Sequence, residues 1–380
     1  MSDKPAIQLD QYQMEAVSSD ANTVVTAGAG SGKTMVLSQR FVRLVKEQKA
    51  AADGILTLTF TRKAALEMKQ RIHRDLQRSG CSEAIKVFDR AAISTLDSFC
   101  ARVVKSGCLR WGISPGFTQD SDACRTLAQE QALSYLTATQ GPPAVKSLLE
   151  VMSFGELQDD LLIPWVLGRG SITAPLDPDA AASAWKHRIT GALGEYADRM
   201  EQVIHEGRSA ARESAKHTAT LTRALELLDQ GEELLTLIDQ GVQGEPLYEL
   251  LRSCWNMRKP TGKEPGNIYF NQTGSDAWKE ACRGVFLALV MLSREDAQRE
   301  VYRWIAEFQG EYYLRLKRSQ LLSFKDTAEL AREMLISDRE LRRWYKNRYS
   351  HIMIDEFQDN NQLQKELLYL LAERMDSEGD

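Results

Sequence analysis

The sequence predicts an α/β protein, in which a parallel sheet carries helices on both faces and a large all-α domain is inserted into the α/β part. Three observations support this prediction. Short β-branched runs alternate with helical patterns in the first third, long Leu-, Ala- and Glu-rich stretches follow from about residue 111, and strand composition returns at residues 349–354. Alternating strands and helices are typical of right-handed crossovers in a parallel sheet. The first and last segments are therefore expected to share one sheet.

The first third contains three predicted strands and two predicted helices. Residues 23–26 form a β-branched run before a glycine-rich turn, and residues 35–45 are apolar at helical spacing. Residues 55–60 have the composition of a buried strand, and residues 91–94 that of a third strand. Between these two strands one apolar helix stripe recurs every four residues: Ala64, Met68, Ile72 and Leu76.

The middle of the chain is predicted to be helical over about 200 residues. Leucine and isoleucine recur there at helical spacing, which indicates amphipathic helices. Near its end, Trp304, Tyr312 and Tyr313 lie among basic residues. Two interpretations are open for these aromatic residues, a helix that faces DNA or ordinary packing, and packing is somewhat favoured.

Composition excludes several classes of protein. The chain has 380 residues, 43% hydrophobic and 27% charged, which is typical of a globular protein with two or three domains. It has no apolar run of the ~18 residues that a membrane helix needs, and its N-terminus is polar. The six cysteines form no CxxC pair, which agrees with free thiols. We therefore expect a cytoplasmic protein that does not contact a membrane.

Charge is distributed unevenly along the chain. The first 115 residues contain 17 Lys and Arg against 11 Asp and Glu, although the whole chain has a net charge of −5. Basic surface attracts phosphate polyanions, but a moderate excess is more often only a solvated face. Charge alone therefore does not predict nucleic-acid binding.

The strongest motif is a phosphate-binding loop between a predicted strand and a predicted helix. It comprises Ala27, Gly28, Ala29, Gly30, Ser31, Gly32, Lys33 and Thr34, with Ala27 in place of the first consensus glycine. Small residues let backbone N–H groups and the helix N-terminus converge on phosphate oxygens. Lys33 would place a positive charge on the phosphates, and Thr34 would offer its hydroxyl to Mg²⁺.

A second motif is the acidic pair Asp355 and Glu356, directly after the apolar residues 352–354. In the Walker B arrangement the aspartate holds Mg²⁺ and the glutamate activates the attacking water. An acidic pair after a strand is weak evidence alone, but together with a phosphate-binding loop it predicts a nucleotide hydrolase. Asp359 is equally well explained as a helix cap or a surface charge.

Four ordered segments resemble the UvrD/Rep-like superfamily 1 DNA helicases. They are residues 27–34, 59–72 (TFTRKAALEMKQRI), 94–100 (STLDSFC) and 355–359 (DEFQD). The length of the helical region, together with residues 112–117 just before it, is similar to the RecB/AddA branch, the helicase subunits of double-strand-break resection enzymes.

This resemblance implies a RecA-like domain formed by residues 1–112 and 311–380, with an inserted helical domain at residues 113–310. It also implies ATP and Mg²⁺ as cofactors, and a 3′-to-5′ DNA helicase in repair and recombination. The implied partners are single-stranded DNA, duplex junctions and a second helicase or nuclease subunit. No segment resembles the second RecA-like domain, so we expect this N-terminal half alone to bind nucleotide, hydrolyse it slowly and unwind nothing. The alternative is a nucleotide-dependent binding module without efficient ATP turnover.

The resemblance also assigns roles to individual residues. Gln13 matches the glutamine that reads adenine, Lys33 and Thr34 match the phosphate and magnesium ligands, and Asp355 and Glu356 match the metal ligand and the general base. Segments bordering the single-strand path correspond to Thr59, Phe60, Thr61, Arg62, Ser94 and Thr95. For Phe60, stacking on a base and a place in the strand core are both open.

Three residues depart from the family pattern. Met35 occupies a position where an arginine often lies against the base, Asp97 replaces a usual histidine, and Lys325 replaces a common acidic residue. These departures affect the expected nucleotide affinity and DNA contacts, but they do not touch the phosphate chemistry.

Overall fold

The computed structural model describes residues 9–28, 30–138, 141–150, 152–242 and 244–373. The strands are β1 (Ile55–Thr59), β2 (Ala92–Thr95), β3 (Thr118–Gln119), β4 (Leu321–Leu322) and β5 (His351–Ile354). The helices up to residue 138 are α1 (Gln11–Ser18), α2 (Lys33–Lys46), α3 (Arg62–Arg78), α4 (Ser82–Lys86), α5 (Leu96–Gly107) and α6 (Ser121–Ala138).

Eleven further helices follow in the described residues. They are α7 (Pro143–Leu149), α8 (Phe154–Glu156), α9 (Pro178–Arg212), α10 (Ala219–Asp239), α11 (Glu245–Cys254), α12 (Pro265–Tyr269), α13 (Ser275–Leu292), α14 (Glu295–Arg318), α15 (Phe324–Ser337), α16 (Arg339–Arg348) and α17 (Gln362–Ala372). Within the described ranges, no helix combines the length and the apolar character needed to cross a membrane.

The chain divides into two compact units. One contains the described parts of residues 1–134, 158–175 and 309–380, and the other those of residues 135–157 and 176–308. Every described residue of the second unit is in a helix, a turn or a connecting segment. The boundaries 1–112, 113–310 and 311–380, and the insertion of an all-α domain, stay predictions.

The main sheet joins the two ends of the sequence. Its strands are parallel in the order β2-β1-β5, and Leu58 pairs with both Ser94 and Ile354. A parallel sheet brings the carboxyl ends of its strands to one edge, where ligands of open α/β sheets bind. The predicted sharing of one sheet by the first and last segments is therefore confirmed.

Helices cover both faces of the sheet, since every residue of β1 is buried. Ile55 packs in a cluster with Phe41 of α2, Ile72 of α3 and Met353 of β5. Neighbouring strand residues point to opposite faces, and Leu56 is also fully buried, so the other face is covered as well. The predicted apolar stripe on α3 is confirmed for Met68, Ile72 and Leu76, which belong to the same cluster, whereas Ala64 is half-buried and outside it.

The prediction of a strand at residues 23–26 is wrong. These residues are in no strand, and Val24 is 90% exposed. A strand needs a hydrogen-bonded partner, and residues 23–26 pair with none of β1, β2 and β5, although the outer edges of β2 and β5 carry no other described strand. The β-branched composition alone therefore does not make this segment a strand.

The second unit has its own core between α9, α10 and α13. Met200, Leu228, Phe270 and Trp278 are fully buried there. A Cβ at Gly231 would lie 2.2 Å from the Trp278 ring, so only glycine permits this approach of α10 to α13. The indole also donates a hydrogen bond to the Cys254 carbonyl at 2.8 Å. One buried tryptophan thus fixes the packing of two helices.

Replacing Ile72 by Ala should lower the free energy of unfolding by about 2–5 kcal/mol, because it leaves a cavity beneath α3. Leu66 lies on the same helix but is mainly exposed. Leu66→Ala is therefore the matched control and should change the free energy of unfolding by about 0.5 kcal/mol or less. Urea unfolding measures this free energy for both variants. Equal decreases in the two variants would contradict the assigned core face of α3.

Candidate functional site

The predicted phosphate-binding loop lies directly before helix α2. Gly30 and Gly32 have φ angles of +76° and +83°, in the left-handed region that glycine adopts without strain. No side chain caps α2, so the amides at its start can meet an anion, except those of Met35 and Val36, which donate to the Gly32 carbonyl at 2.8 and 3.0 Å. Ala29 lies outside the described residues. The loop has the backbone that phosphate binding requires.

The Lys33 ammonium is held above this loop. It donates hydrogen bonds to the carbonyls of Ala27 at 2.9 Å and Gly28 at 3.2 Å. The Ser31 hydroxyl donates to the same Gly28 carbonyl at 2.8 Å. Loop carbonyls thus keep the positive charge of Lys33 at the place where a phosphate would bind.

Gln13 lies against the loop. Its Nε2 donates to the Ser31 carbonyl at 3.0 Å, and its Oε1 accepts from the Asp10 amide at 3.0 Å in the capping box of α1. The structure thus brings Gln13, Ser31 and Lys33 together. Gln13 is placed where a side-chain amide could reach a nucleotide base, although both of its polar ends are engaged within the chain.

Asp355 is brought to the loop by the sheet. Its amide donates to the Leu58 carbonyl at 2.9 Å, which extends the pairing of β5 with β1. Burial raises the pKa of the Asp355 carboxyl, Glu356 raises it further, and Lys33 opposes the rise. Lys33 and Asp355 are more than three hundred positions apart in sequence, yet their charges lie within electrostatic range of each other.

Glu356 has an unusual backbone. Its φ is +58° and its ψ is 51°, a left-handed conformation that costs a non-glycine residue of order 1–2 kcal/mol. Such conformations are concentrated at functional sites. The Gln358 side-chain amide donates to the Glu356 carboxylate, and the Asp359 amide donates to the Glu356 carbonyl at 3.0 Å. The predicted base is therefore held in one orientation.

The residues of the site fit a magnesium ion. Asp355 and Glu356 place two carboxylates next to each other, and burial together with the charge of Glu356 raises the pKa of Asp355, so a bound cation would be stabilising there. Thr34 follows Lys33 in the first turn of α2 and contributes a hydroxyl. No cluster of three or more His, Cys, Asp and Glu among the described residues could hold a metal ion. Mg²⁺ would thus depend on phosphate oxygens and water, as is usual for this ion.

The predicted DNA-binding residues divide into an exposed and a buried group. Phe60 follows β1 and is 60% exposed, Thr61 caps α3 by accepting from the Ala64 amide, and Arg62 is exposed. All three lie at the same edge of the sheet as Asp355, because the strands are parallel. They are accessible to a strand of DNA that crosses this edge.

The buried group does not present its hydroxyls to solvent. Thr59 donates to the Thr61 carbonyl, and Thr95 caps α5 and contacts Ser98 at 2.8 Å. The Ser94 hydroxyl is buried without a hydrogen-bond partner in the described part of the chain. That Thr59, Ser94 and Thr95 border the path of single-stranded DNA stays a prediction, and their side chains stabilise strand ends or lie within the fold.

The family model of the UvrD/REP helicase N-terminal domain matches residues 9–161 and 177–377. The chain belongs to this family. Membership implies a RecA-like α/β fold, in agreement with the parallel sheet. The match includes the phosphate-binding loop and the acidic pair. The resemblance to UvrD/Rep-like helicases is thereby confirmed.

Named relatives of this helicase domain point to the same branch. The chain is 26% identical to an ATP-dependent helicase/nuclease subunit of Lactococcus lactis subsp. lactis, over 96% of the chain and 35% of that protein. It is 28% identical to the helicase/nuclease subunit with the same name in Lactobacillus delbrueckii subsp. bulgaricus, over 96% of the chain and 34% of that protein. It is also 25% identical to the exonuclease/helicase subunit RexA of Lactococcus lactis subsp. cremoris, over 96% and 35% respectively. The chain thus spans about a third of the length of the curated relatives it matches.

Two arginines of the helicase domain support the site without having been predicted. Arg40 donates to the Ala16 carbonyl at 2.6 Å, and Arg43 donates to the Val17 carbonyl at 2.9 Å and pairs with Asp20 at 2.5 Å. These bonds attach the end of α1 to α2, and so place Gln13 beside the loop. In the sequence, both arginines resemble ordinary charges on a helix surface.

A half-buried carboxylate, Asp97, also lies at the start of α5, directly after β2. Burial raises the pKa of Asp97, while a hydrogen bond from Gln364 at 3.5 Å and the charge of Arg62 lower it. In the sequence, Asp97 differs from the family pattern but has no predicted role, and nothing in the sequence predicts a contact of Gln364 with it. Together they connect α17 to the start of α5.

Asp355→Asn should stabilise the protein and weaken nucleotide binding. Because folding raises the pKa of Asp355, its favourable contribution is present below the unfolded pKa and is lost as pH rises through the folded pKa. At pH 7 without Mg²⁺, the variant should melt about 1–3 °C above the parent, and the gap should close in acid. Its affinity for a magnesium–ATP analogue should fall at least about tenfold, or 1.4 kcal/mol.

Asp359→Asn is the control, because Asp359 is an exposed acid in the same segment. It should leave both the melting temperature and the nucleotide affinity near those of the parent. Calorimetric melting across pH and a nucleotide titration are the measurements. A variant at Asp355 that melts below the parent at pH 7 would contradict the assigned charge environment.

Proposed function

We propose that this chain is the ATP-binding N-terminal part of an ATP-dependent DNA helicase, with ATP as substrate and Mg²⁺ as cofactor. Polarity is proposed as 3′ to 5′, from the family resemblance. The observation that carries the proposal is the electrostatic coupling of Lys33, on the phosphate-binding loop, to Asp355, at the end of β5. Phosphoryl transfer needs both groups on one substrate.

The residues of the site would share the work of hydrolysis. Amides of the loop and of the first turn of α2 would bind phosphate oxygens, and Lys33 would hold the terminal phosphates. Thr34 and Asp355 would hold Mg²⁺, which when bound neutralises charge that develops on the phosphates. Glu356 would accept a proton from the attacking water, and Gln13 would bind the amino group and a ring nitrogen of adenine.

The exposed group at the same edge supports a link between ATP and DNA. Phe60 could stack on an unpaired base, while Arg62 could contact a phosphate. Both follow directly from β1, the strand that also pairs with β5. A shift in β5 on nucleotide binding would therefore reach Phe60 through one strand.

We extend the proposal to pathway and partners by way of the relatives. Their printed names describe one subunit of an ATP-dependent helicase/nuclease. On that basis we propose a role in DNA repair and recombination in the cytoplasm, on single-stranded DNA and duplex junctions, together with another protein chain of such an enzyme.

One observation favours a second candidate function, a nucleotide-dependent binding module with little turnover. The carboxylate of Glu356 already accepts a hydrogen bond from Gln358, which leaves it less available to water. Single-turnover ATP hydrolysis by the parent separates the two candidates, because a binding module would retain bound ATP unchanged.

Lys33→Ala and Glu356→Gln should fail in different ways. Loss of the Lys33 charge should weaken magnesium–ATP binding by about 10²-fold or more, since no other cation of the loop replaces it. Glu356→Gln should bind ATP as the parent does but hydrolyse it about 10²–10⁴-fold more slowly, because the amide cannot accept the proton. Equilibrium titration and single-turnover kinetics give the two quantities.

Controls for this pair lie on the same or a similar helix. Lys46→Ala removes an exposed lysine at the other end of α2, and Glu340→Gln makes the same chemical change on exposed α16. Both should behave as the parent. Hydrolysis by Glu356→Gln at the parental rate would refute the assignment of the base.

Phe60→Ala should reduce the affinity for oligo(dT) by about 1–3 kcal/mol and reduce the stimulation of ATP hydrolysis by single-stranded DNA. Trp344→Ala removes an aromatic side chain of similar exposure, 53%, from α16 and is the control. Fluorescence anisotropy and ATPase assays provide the measurements. Equal DNA affinity in Phe60→Ala and the parent would assign Phe60 no role in stacking.

A further inference from the structure

Helix α3 carries positive charges that no acidic side chain of the described chain neutralises. Lys63, Lys69 and Arg74 form no ion pair within 4.0 Å in the described residues, although Glu67 is on the same helix. By contrast, Arg43 on α2 and Arg208 on α9 each form ion pairs with acidic side chains. Part of the positive excess of the first third of the chain thus lies, without an ion-pair partner in the described residues, on the side of α3 that faces away from the core.

These charges extend from the edge where Phe60 lies. Arg62, Leu66, Lys69 and His73 are spaced by four, three and four residues, and therefore share one side of the helix. The row starts two residues after Phe60 and is about 16 Å long, at 1.5 Å per residue. We call this row, with the neighbouring Arg74, the α3 track.

The far end of the α3 track borders an open groove of about 490 Å³. Its accessible apolar floor is the side chain of Leu66, which is 58% exposed, whereas Phe88 also lines the groove but is only 3% exposed. The Lys69 ammonium lies 6.0 Å from the Phe88 ring centroid, and the His73 ring lies 5.3 Å from it. Arg74 also lines the groove, and Asp89 contributes one negative charge. The groove therefore combines an apolar floor with a mainly basic rim.

We propose that the α3 track binds single-stranded DNA that has passed Phe60, with its backbone on Lys69 and Arg74 and an unstacked base on the floor of the groove. The inference rests on the proposed function. Sites for single strands combine cations that follow the backbone with apolar or aromatic surfaces for bases. Duplex DNA would keep its bases paired and would leave the floor of the groove unused.

The test is reversal of the two groove charges, Lys69→Glu with Arg74→Glu. The affinity of this double variant for oligo(dT) should be lower than that of the parent by about tenfold or more at physiological salt. The slope of log K against log salt should become shallower by about 1.4, since each single-strand phosphate contact contributes about 0.7. The control reverses two exposed arginines on α16, Arg339→Glu with Arg343→Glu, and carries the same change in net charge. It should keep the parental affinity and slope.

Further measurements separate the possible outcomes. Lys69→Gln with Arg74→Gln removes the charges without reversing them, and should lower affinity less but in the same direction. Magnesium–ATP binding should be unchanged in all variants, and its absence in the parent would instead contradict the proposed function. The inference is overturned if the groove variant keeps the parental slope, or if the α16 control loses as much affinity. It is also overturned if the variant loses binding only to duplex DNA or to an acidic peptide.

Discussion

The nucleotide site depends on the parallel pairing of β1 with β5. This pairing joins segments about three hundred residues apart and sets Asp355 one residue beyond the register partner of Leu58. Closing so long a loop costs conformational entropy, which the buried faces of β1 offset by packing against helices. If the strands slipped by one residue, Asp355 and Glu356 would exchange faces and the electrostatic coupling to Lys33 would be lost.

The site is arranged for a ligand that brings both negative and positive charge. Lys33 is supported by loop carbonyls, and the amides at the start of α2 add further positive potential for a phosphate. Nearby, burial raises the pKa of Asp355, and the negative charge of Glu356 raises it further. A magnesium–triphosphate complex would compensate both groups. Stability without ligand is thus reduced at the residues that bind it, as is common at functional sites.

Local signals predicted the parts of the site that depend on short-range chemistry. Glycines of the loop, the four-residue spacing on α3 and the apolar strand before Asp355 each have a physical requirement within a few residues. Residues 23–26 were wrongly predicted, because β-propensity cannot tell whether a partner strand is available. Phe60 was left open, and its exposure now favours stacking. Trp304, Tyr312 and Tyr313 are buried, which agrees with the packing interpretation.

Other parts of the site required the tertiary structure. The roles of Arg40 and Arg43 depend on carbonyls that lie more than twenty residues away, and Gln364 reaches Asp97 across more than two hundred and sixty. The inward orientation of the Thr59 and Thr95 hydroxyls follows from cap and turn geometry at the strand ends. Residue type alone does not determine such orientations.

The most direct test of the account is a crystal structure of the protein with Mg²⁺ and a non-hydrolysable ATP analogue. The account predicts the terminal phosphates on the loop at residues 27–34, with Lys33 Nζ within hydrogen-bond distance of a phosphate oxygen. It predicts that Thr34 and Asp355 bind the metal directly or through water, and that Glu356 faces the terminal phosphate. A nucleotide bound elsewhere, or a metal ion remote from Asp355, would contradict it.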